Sequence, residues 1–445
     1  MISSHPLFLL IALAVVPTPL LGSATVAGSE TLGRSSERAV PAWIRCSPAA
    51  FQRQGRRPEP SLNPIADALD QAGPGTVVHL DPGDYQPFTI GFRSNSRANA
   101  TTSGGSDGSP VVIQGTKGVR IVGGTGDTIA IDQAVPNAWI TFRDLTIVPG
   151  QRSGVLFFRR TDGRIHQGYS FENCHILGRY NALTGKGKRA KWGVWGHRLA
   201  DFRFIGMKEP ARIERIADEH AFYLQNPAGP ILIQNVKASE LGRTFCQFTA
   251  RSQEGPPGTG DITVRDCEVE DVCIADGDGY KGGSAFTIAG RLNGLILFEN
   301  NTYRAGFRDK YRKLTKDEKP YGTGAFMAWE ASPEGRNGTL ILRNNDFRFA
   351  AGCGDRPVVS IGGCERVLVV GDNRFESGGT QPALELDPVT PRGRIRSTAN
   401  GRVYLAPRTR VQGKVLIHGE IPTPEARAAL QRRGFKKPGS KGEGK

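Results

Sequence analysis

Residues 298–303 read FENNTY, and residues 171–176 read FENCHI. Five further stretches share their pattern of an apolar residue, any residue, Asn or Asp, two residues of any kind and then, usually, an apolar one. They are FRDLTI (142–147), IQNVKA (233–238), VRDCEV (264–269), LRNNDF (342–347) and VGDNRF (370–375). The Asn or Asp falls at 144, 173, 235, 266, 300, 344 and 372, at spacings of 29, 62, 31, 34, 44 and 28 residues. The 62 is two units of 31, with a divergent copy near VWGHRLADF (194–202). A unit that recurs at near-constant length, with some gaps stretched, marks a repeat architecture carrying insertions.

Each unit also holds an earlier strand with period-two alternation: TIAID (128–132), GVLFF (154–158), AFYLQ (221–225), CQFTA (246–250), AFTIA (285–289), AFMAW (325–329) and VVSIG (358–362). A second strand follows and runs into the repeat, as in WITF, GYSF, ILIQ, ITVR, LILF, TLIL and VLVV. Alternation sends one set of side chains inward and the other outward. The Asn or Asp then falls at a turn between strands, where it tolerates left-handed backbone and bonds neighbouring amides, so that stacked copies form a ladder. Short parallel strands, three to a coil and stacked coil on coil, make a right-handed parallel β-helix, here an all-β solenoid of about 9–11 coils.

With these residues in place, the chain resembles the pectate-lyase-like β-helix superfamily. IADALDQAGPGTVVHLDPGDYQPFTI (65–90) looks like that superfamily's N-terminal helix and opening strands, and SPVVIQGTKGVRIVGG (109–124) looks like its first coils. The resemblance spans residues 60–420 and implies the fold. It leaves the activity open, because this fold hosts lyases, hydrolases, epimerases, adhesins and structural proteins.

The composition agrees: 445 residues with 57 Gly, 29 Pro and only 38% hydrophobic residues favour many short elements and frequent turns. Helical periodicity is confined to 64–72, a capping helix at the start of the solenoid, and to 423–433, where Thr423 caps PEARAALQRR. LFLLIALAVV (7–16) is too short to span a bilayer and reads as a signal peptide over 1–27, with Ala24 and Ala27 as cleavage positions. No Lys or Arg precedes it, so an uncleaved anchor is the alternative. The expected order is signal peptide, a linker over 28–59, the β-helix over 60–420, and a short helix with a basic disordered tail over 421–445. The mature chain is expected to be secreted, periplasmic or on the cell surface, with no transmembrane span.

Seven cysteines, an odd number, show no zinc spacing. Export permits Cys267–Cys273 or Cys353–Cys364 disulfides; small buried hydrophobes are the other reading. The net charge of +15 is concentrated in residues 179–191, 304–319 and the tail 432–445. Such segments suit a polyanion, whether acidic polysaccharide, lipid headgroup or nucleic acid, and export argues against nucleic acid; solvated loops that keep the chain soluble are the alternative.

Insertions at 177–193, 203–219, 272–283 and 304–323 precede first strands, and 251–260 follows one. The ligand face is therefore expected on the first-strand sheet, around residues 218–330. Alternation turns Tyr223, Gln225, Gln247, Thr249, Thr287, Met327 and Trp329 outward, with Arg251 and Arg291 at or just beyond the ends of their strands. Such a strip of aromatics, amides and cations suits a sugar chain. In β-elimination a base removes the proton beside the carboxylate while positive charge holds the developing oxyanion. His220 and Tyr223 are the candidate bases, Arg251, Arg243 and Lys281 the candidate neutralisers, and Glu219 a further groove residue. Calcium is the neutraliser the resemblance implies, and ADGDGYKGG (275–283) offers Asp276 and Asp278 as hard oxygen ligands. A glycoside hydrolase would pair Asp218 or Glu219 with Asp276, Asp278 or Glu330, but the paired-Asp and Gly-His-Gly motifs of polygalacturonase-like members are missing. A non-catalytic, exported glycan-binding or structural β-helix needs only the groove and the basic loops.

Overall fold

A computed structural model describes residues 42–48, 63–91, 104–132, 137–159, 165–180, 187–250, 258–272, 283–306, 323–329, 335–351, 353, 356–387 and 400–417. All fall within one unit, Val40–Lys445. One coil shows the plan: a first strand Phe222–Gln225, a second strand Ile231–Gln234 and a third strand Val236–Leu241. The next coil repeats it with Cys246–Ala250, Ile262–Arg265 and Glu268–Val272. Each strand pairs in parallel with its counterpart one coil on: Phe222 with Cys246, Ile231 with Ile262, Lys237 with Glu268. First, second and third strands thus build three parallel sheets of 11, 13 and 11 strands, the right-handed parallel β-helix expected from the repeats.

The alternation is the cause of the core. Phe222 and Leu224 are buried while Tyr223 and Gln225 between them are half-buried. Register stacks the inward residues coil on coil, so that Ile129, Val155, Val194, Phe222, Cys246, Phe286, Phe326 and Val359 form one buried file. Rings stack along the axis as well: Phe142 on Phe171 at 4.6 Å and 12°, and Phe286 on Phe347 at 5.4 Å. Burying each such side chain contributes about 1.5–3 kcal/mol. Asn63 caps the helix Pro64–Leu69 by accepting from the Ile65 and Ala66 amides, and the helix packs on the strands Trp43–Cys46, Val77–Leu80 and Phe88–Ile90.

The turn prediction holds at six positions: Asp144, Asn173, Asn235, Asp266, Asn300 and Asn344 all have φ between 51° and 58°. In the seventh repeat Gly371 (φ 73°) takes the left-handed place instead of Asp372, one residue earlier than expected. An outer ladder links Asn173 Nδ2 to Asp144 Oδ1 (2.9 Å) and Asn300 Nδ2 to Asp266 Oδ1 (3.0 Å). A second, fully buried ladder lies one residue on. Asn301 donates to Asn345 (3.1 Å) and Asn345 to Asn373 (3.2 Å), while their Oδ1 atoms accept from backbone amides of the coil before.

Three expectations need correction. Residues 203–219 are not an insertion: Phe202–Ile205 and Ala211–Glu214 are the second and third strands of the divergent coil, whose turn carries Gly206 in place of Asn or Asp. Part of the supposed linker is structured, because Trp43–Cys46 pairs in parallel with Val77–Leu80. The Cys353–Cys364 disulfide is not formed, and all six described cysteines are buried. Burial pushes the Cys174, Cys267 and Cys364 thiols up to about 12. Cys273, the signal peptide and the tail beyond residue 417 lie outside the described residues, among which no helix is long and apolar enough to cross a membrane.

Candidate functional site

On the first-strand sheet, parallel register lines up one outward file: Leu156, Trp195, Tyr223, Gln247, Thr287, Met327, Ser360 and Glu385. A second file runs His197, Gln225, Thr249, Ala289 and Trp329. The predicted outward side chains therefore do lie in lines, but not all of them reach solvent. Thr249 is fully buried, and Thr287 is 2% exposed with its hydroxyl turned back to the Ser284 carbonyl at 3.3 Å, so neither meets a ligand. Trp329 stands three coils beyond Gln225, about 14 Å along the axis at ~4.8 Å per coil, and does not join Tyr223. Arg291 sits past the end of its strand, against Gly335, at the corner leading to the second-strand sheet.

What does converge is a cluster around Tyr223. Its ring stacks on the His220 imidazole, centroids 4.9 Å apart and 27° from parallel. His220 Nε2 lies 2.6 Å from Gln247 Oε1, and Nδ1 lies 3.4 Å from Glu219 Oε2. Glu219 Oε2 accepts from Arg243 at 2.8 Å, and Asp218 accepts from Arg189 Nε at 2.7 Å. Above this layer, the Gln225 amide donates to the Tyr223 hydroxyl at 3.2 Å and accepts from Trp195 Nε1 at 3.2 Å. Trp192 packs on Trp195 with centroids 4.4 Å apart, and Lys191 lies over the Trp192 ring.

His220 is only 2% exposed. The expectation that it stands open at the groove wall as a base is corrected: it is the buried support beneath Tyr223, held from below by Glu219 and from the next coil by Gln247. Both acids of the ADEH stretch are ion-paired, which leaves neither as a bare carboxylate. Tyr223, Gln225 and Gln247 keep their predicted outward places. Arg251, Lys281, Asp276, Asp278 and Glu330 lie outside the described residues. Among the described residues no three His, Cys, Asp or Glu gather to hold a metal.

Sequence reading missed Trp192 and Trp195, whereas Arg189 and Lys191 belong to the basic segment 179–191 expected to meet a polyanion. The signal is present in KWGVW (191–195), where two tryptophans three apart begin a first strand, but the stretch is divided between the expected insertion 177–193 and the divergent repeat 194–202. Together these side chains form an aromatic floor (Trp192, Trp195, Tyr223) edged by amides and by the cations Arg189, Lys191 and Arg243. Aromatic faces of this kind cover apolar ring faces, amides bond hydroxyls, and guanidinium groups pair with carboxylates.

No protein-family model and no curated protein matches the chain. Among solved structures it is similar to the pectate lyase Pel9A, at 12% identity over 77% of this chain and 76% of that one, TM-score 0.40. It is similar also to an alginate lyase from Paenibacillus sp. str. FPU-7, at 12% identity over 83% and 99%, TM-score 0.39. A third is the catalytic domain of a GH87 alpha-1,3-glucanase in complex with tetrasaccharides, at 11% identity over 83% and 68%, TM-score 0.34.

Proposed function

We propose that the protein acts on an acidic polysaccharide outside the cytoplasm, bound along the first-strand sheet and cleaved by β-elimination. The observation that carries this reading is the Trp192–Trp195–Tyr223 floor flanked by Arg189, Lys191 and Arg243. Pyranose faces stack on the rings, and the cations meet uronate carboxylates. Tyr223 is the base: its hydroxyl is the half-buried acid–base group at the centre of the floor, oriented by Gln225. His220 is a positioning residue that fixes the ring from beneath. In sequence, Arg251 immediately follows the strand Cys246–Ala250, and Lys281 closely precedes the strand Gly283–Gly290. They are the proposed neutralisers of the substrate carboxylate, with calcium on Asp276 and Asp278 as the other source of positive charge.

The test is incubation with polyuronates and sulfated glycans, with added calcium and with a chelator, following the ultraviolet absorbance of unsaturated chain ends. Elimination must produce that absorbance, and Tyr223→Phe must abolish it. A second reading has an observation in its favour: with His220 buried and Asp218 and Glu219 ion-paired, the described cluster also suits a non-catalytic glycan-binding protein. Binding retained across the panel, with no unsaturated product under any condition, decides for that reading.

A further inference from the structure

The second-strand sheet carries a groove of its own, about 820 Å³, between the 106–109 turn on one side and Pro230 and Asp261 on the other. Its floor is the outward file Thr141, Ser170, Arg203, Leu232 and Thr263, aligned coil by coil. The short side chains of Thr141 and Ser170 open space there. At the same place the register between the strands Asn137–Arg143 and His166–Glu172 slips: Gln167 faces Asn137, but Tyr169 faces Ile140. The extra residue bulges the first of these strands, and within the bulge Trp139 adopts φ 43°. Left-handed backbone costs a residue with a Cβ about 1–2 kcal/mol, and strain of this kind persists only where the surroundings enforce it.

The enforcing contact is a glycine. Gly168 has φ 79°, and a Cβ there would stand 2.4 Å from Trp139 Cδ2. The indole therefore lies on bare backbone, half-buried, with the remainder of its surface facing the groove. Beside it, Gln167 donates to Asp201 at 2.6 Å. The lining carries four carboxylates (Asp107, Glu172, Asp201, Asp261), of which Glu172 is paired with Arg143, against two guanidinium groups (Arg203, Arg265). That balance is the reverse of the cation-edged floor on the first-strand sheet.

We infer that this groove is a second glycan site, separate from the first-strand floor, and that it takes an uncharged pyranose chain. The Trp139 face stacks on a sugar ring, the carboxylates accept from its hydroxyl groups, and the exposed Arg203 guanidinium donates to them. A polyuronate is repelled by the excess of carboxylates. Such a site would hold the protein on a neutral polymer while the other sheet works on an acidic one.

The full chain is titrated calorimetrically with cellohexaose, maltohexaose and laminarihexaose, and with an oligogalacturonate of equal length. At least one neutral oligosaccharide binds. Trp139→Gly weakens it by about tenfold, the scale of losing one stacked ring; glycine relieves the left-handed backbone but gives up the packing of the half-buried indole, so Tm is measured alongside. Arg203→Ala, at an exposed side chain, weakens the same titration several-fold and gives a second variant with no folding penalty. Tyr223→Phe leaves neutral-sugar binding unchanged, which separates this site from the proposed lyase floor. The inference is overturned if no neutral oligosaccharide binds, if binding survives Trp139→Gly and Arg203→Ala, or if binding is lost in Tyr223→Phe.

Discussion

Tyr223 and His220 lie three residues apart and do different work. In AFYLQ the alternation alone placed Phe222 and Leu224 inside and Tyr223 outside, and the structure agrees. His220 precedes the strand, so no period governs its direction. Its burial depends on Gln247, one coil away, and on the ion-paired Glu219, and neither contact can be seen without the register. The two residues therefore respond differently to mutation. Tyr223→Phe removes one half-exposed hydroxyl and changes Tm little, yet lowers turnover by about 10²–10⁴, the usual weight of a proton-transfer group. His220→Ala empties a buried site and strands its partners, costing about 1–3 kcal/mol of stability, and lowers turnover through the loosened tyrosine. Thermal melts alongside kcat for both variants check the distinction; equal loss of Tm in both would contradict it.

At the scale of the element, the turn motif was legible and the ladder only half so. The left-handed positions at 144, 173, 235, 266, 300 and 344 follow from Asn and Asp chemistry. Sequence could not tell which of two adjacent asparagines points inward, because NN at 300–301 and 344–345 satisfies the pattern either way. The buried ladder uses Asn301, Asn345 and Asn373. Asn345→Ala leaves both ladder neighbours short of partners in the core and is expected to cost about 2–5 kcal/mol, whereas Asn344→Ala costs about 1–2 kcal/mol through the left-handed backbone. Denaturant titration of the pair measures the difference. The neighbouring third strand carries a pH dependence. Burial would raise the Asp346 carboxyl, but hydrogen bonds and charge from Arg348 and Arg304 outweigh it and hold the group below the usual carboxylate range. A depressed pKa stabilises the fold above the unfolded value, about 3.9, and that stability is lost as pH falls through the folded value. Asp346→Asn is thus expected to lower Tm at neutral pH and to converge with wild type in acid; a gap that persists in acid would contradict the ion-pair origin.

The molecule as a whole was the most legible scale. Seven copies of one motif at near-constant spacing fix three strands per coil, and parallel stacking follows because each coil must bury its inward file against the next. The floor on the first-strand sheet was foreseen as a face, but its tryptophans were not, since the coil that carries Trp192 and Trp195 lacks the Asn or Asp of the repeat. The second-strand groove left no trace in the alternation, because it arises from a one-residue bulge that changes register without changing composition. The central claim is that an acidic sugar chain is held on the Trp192–Trp195–Tyr223 floor. A crystal structure of the protein soaked with an oligouronate tests it most directly. The account predicts sugar rings stacked over Trp195 and Tyr223, with carboxylates directed at the bordering Arg and Lys residues; an oligouronate seated on another face, with this floor empty, would contradict it.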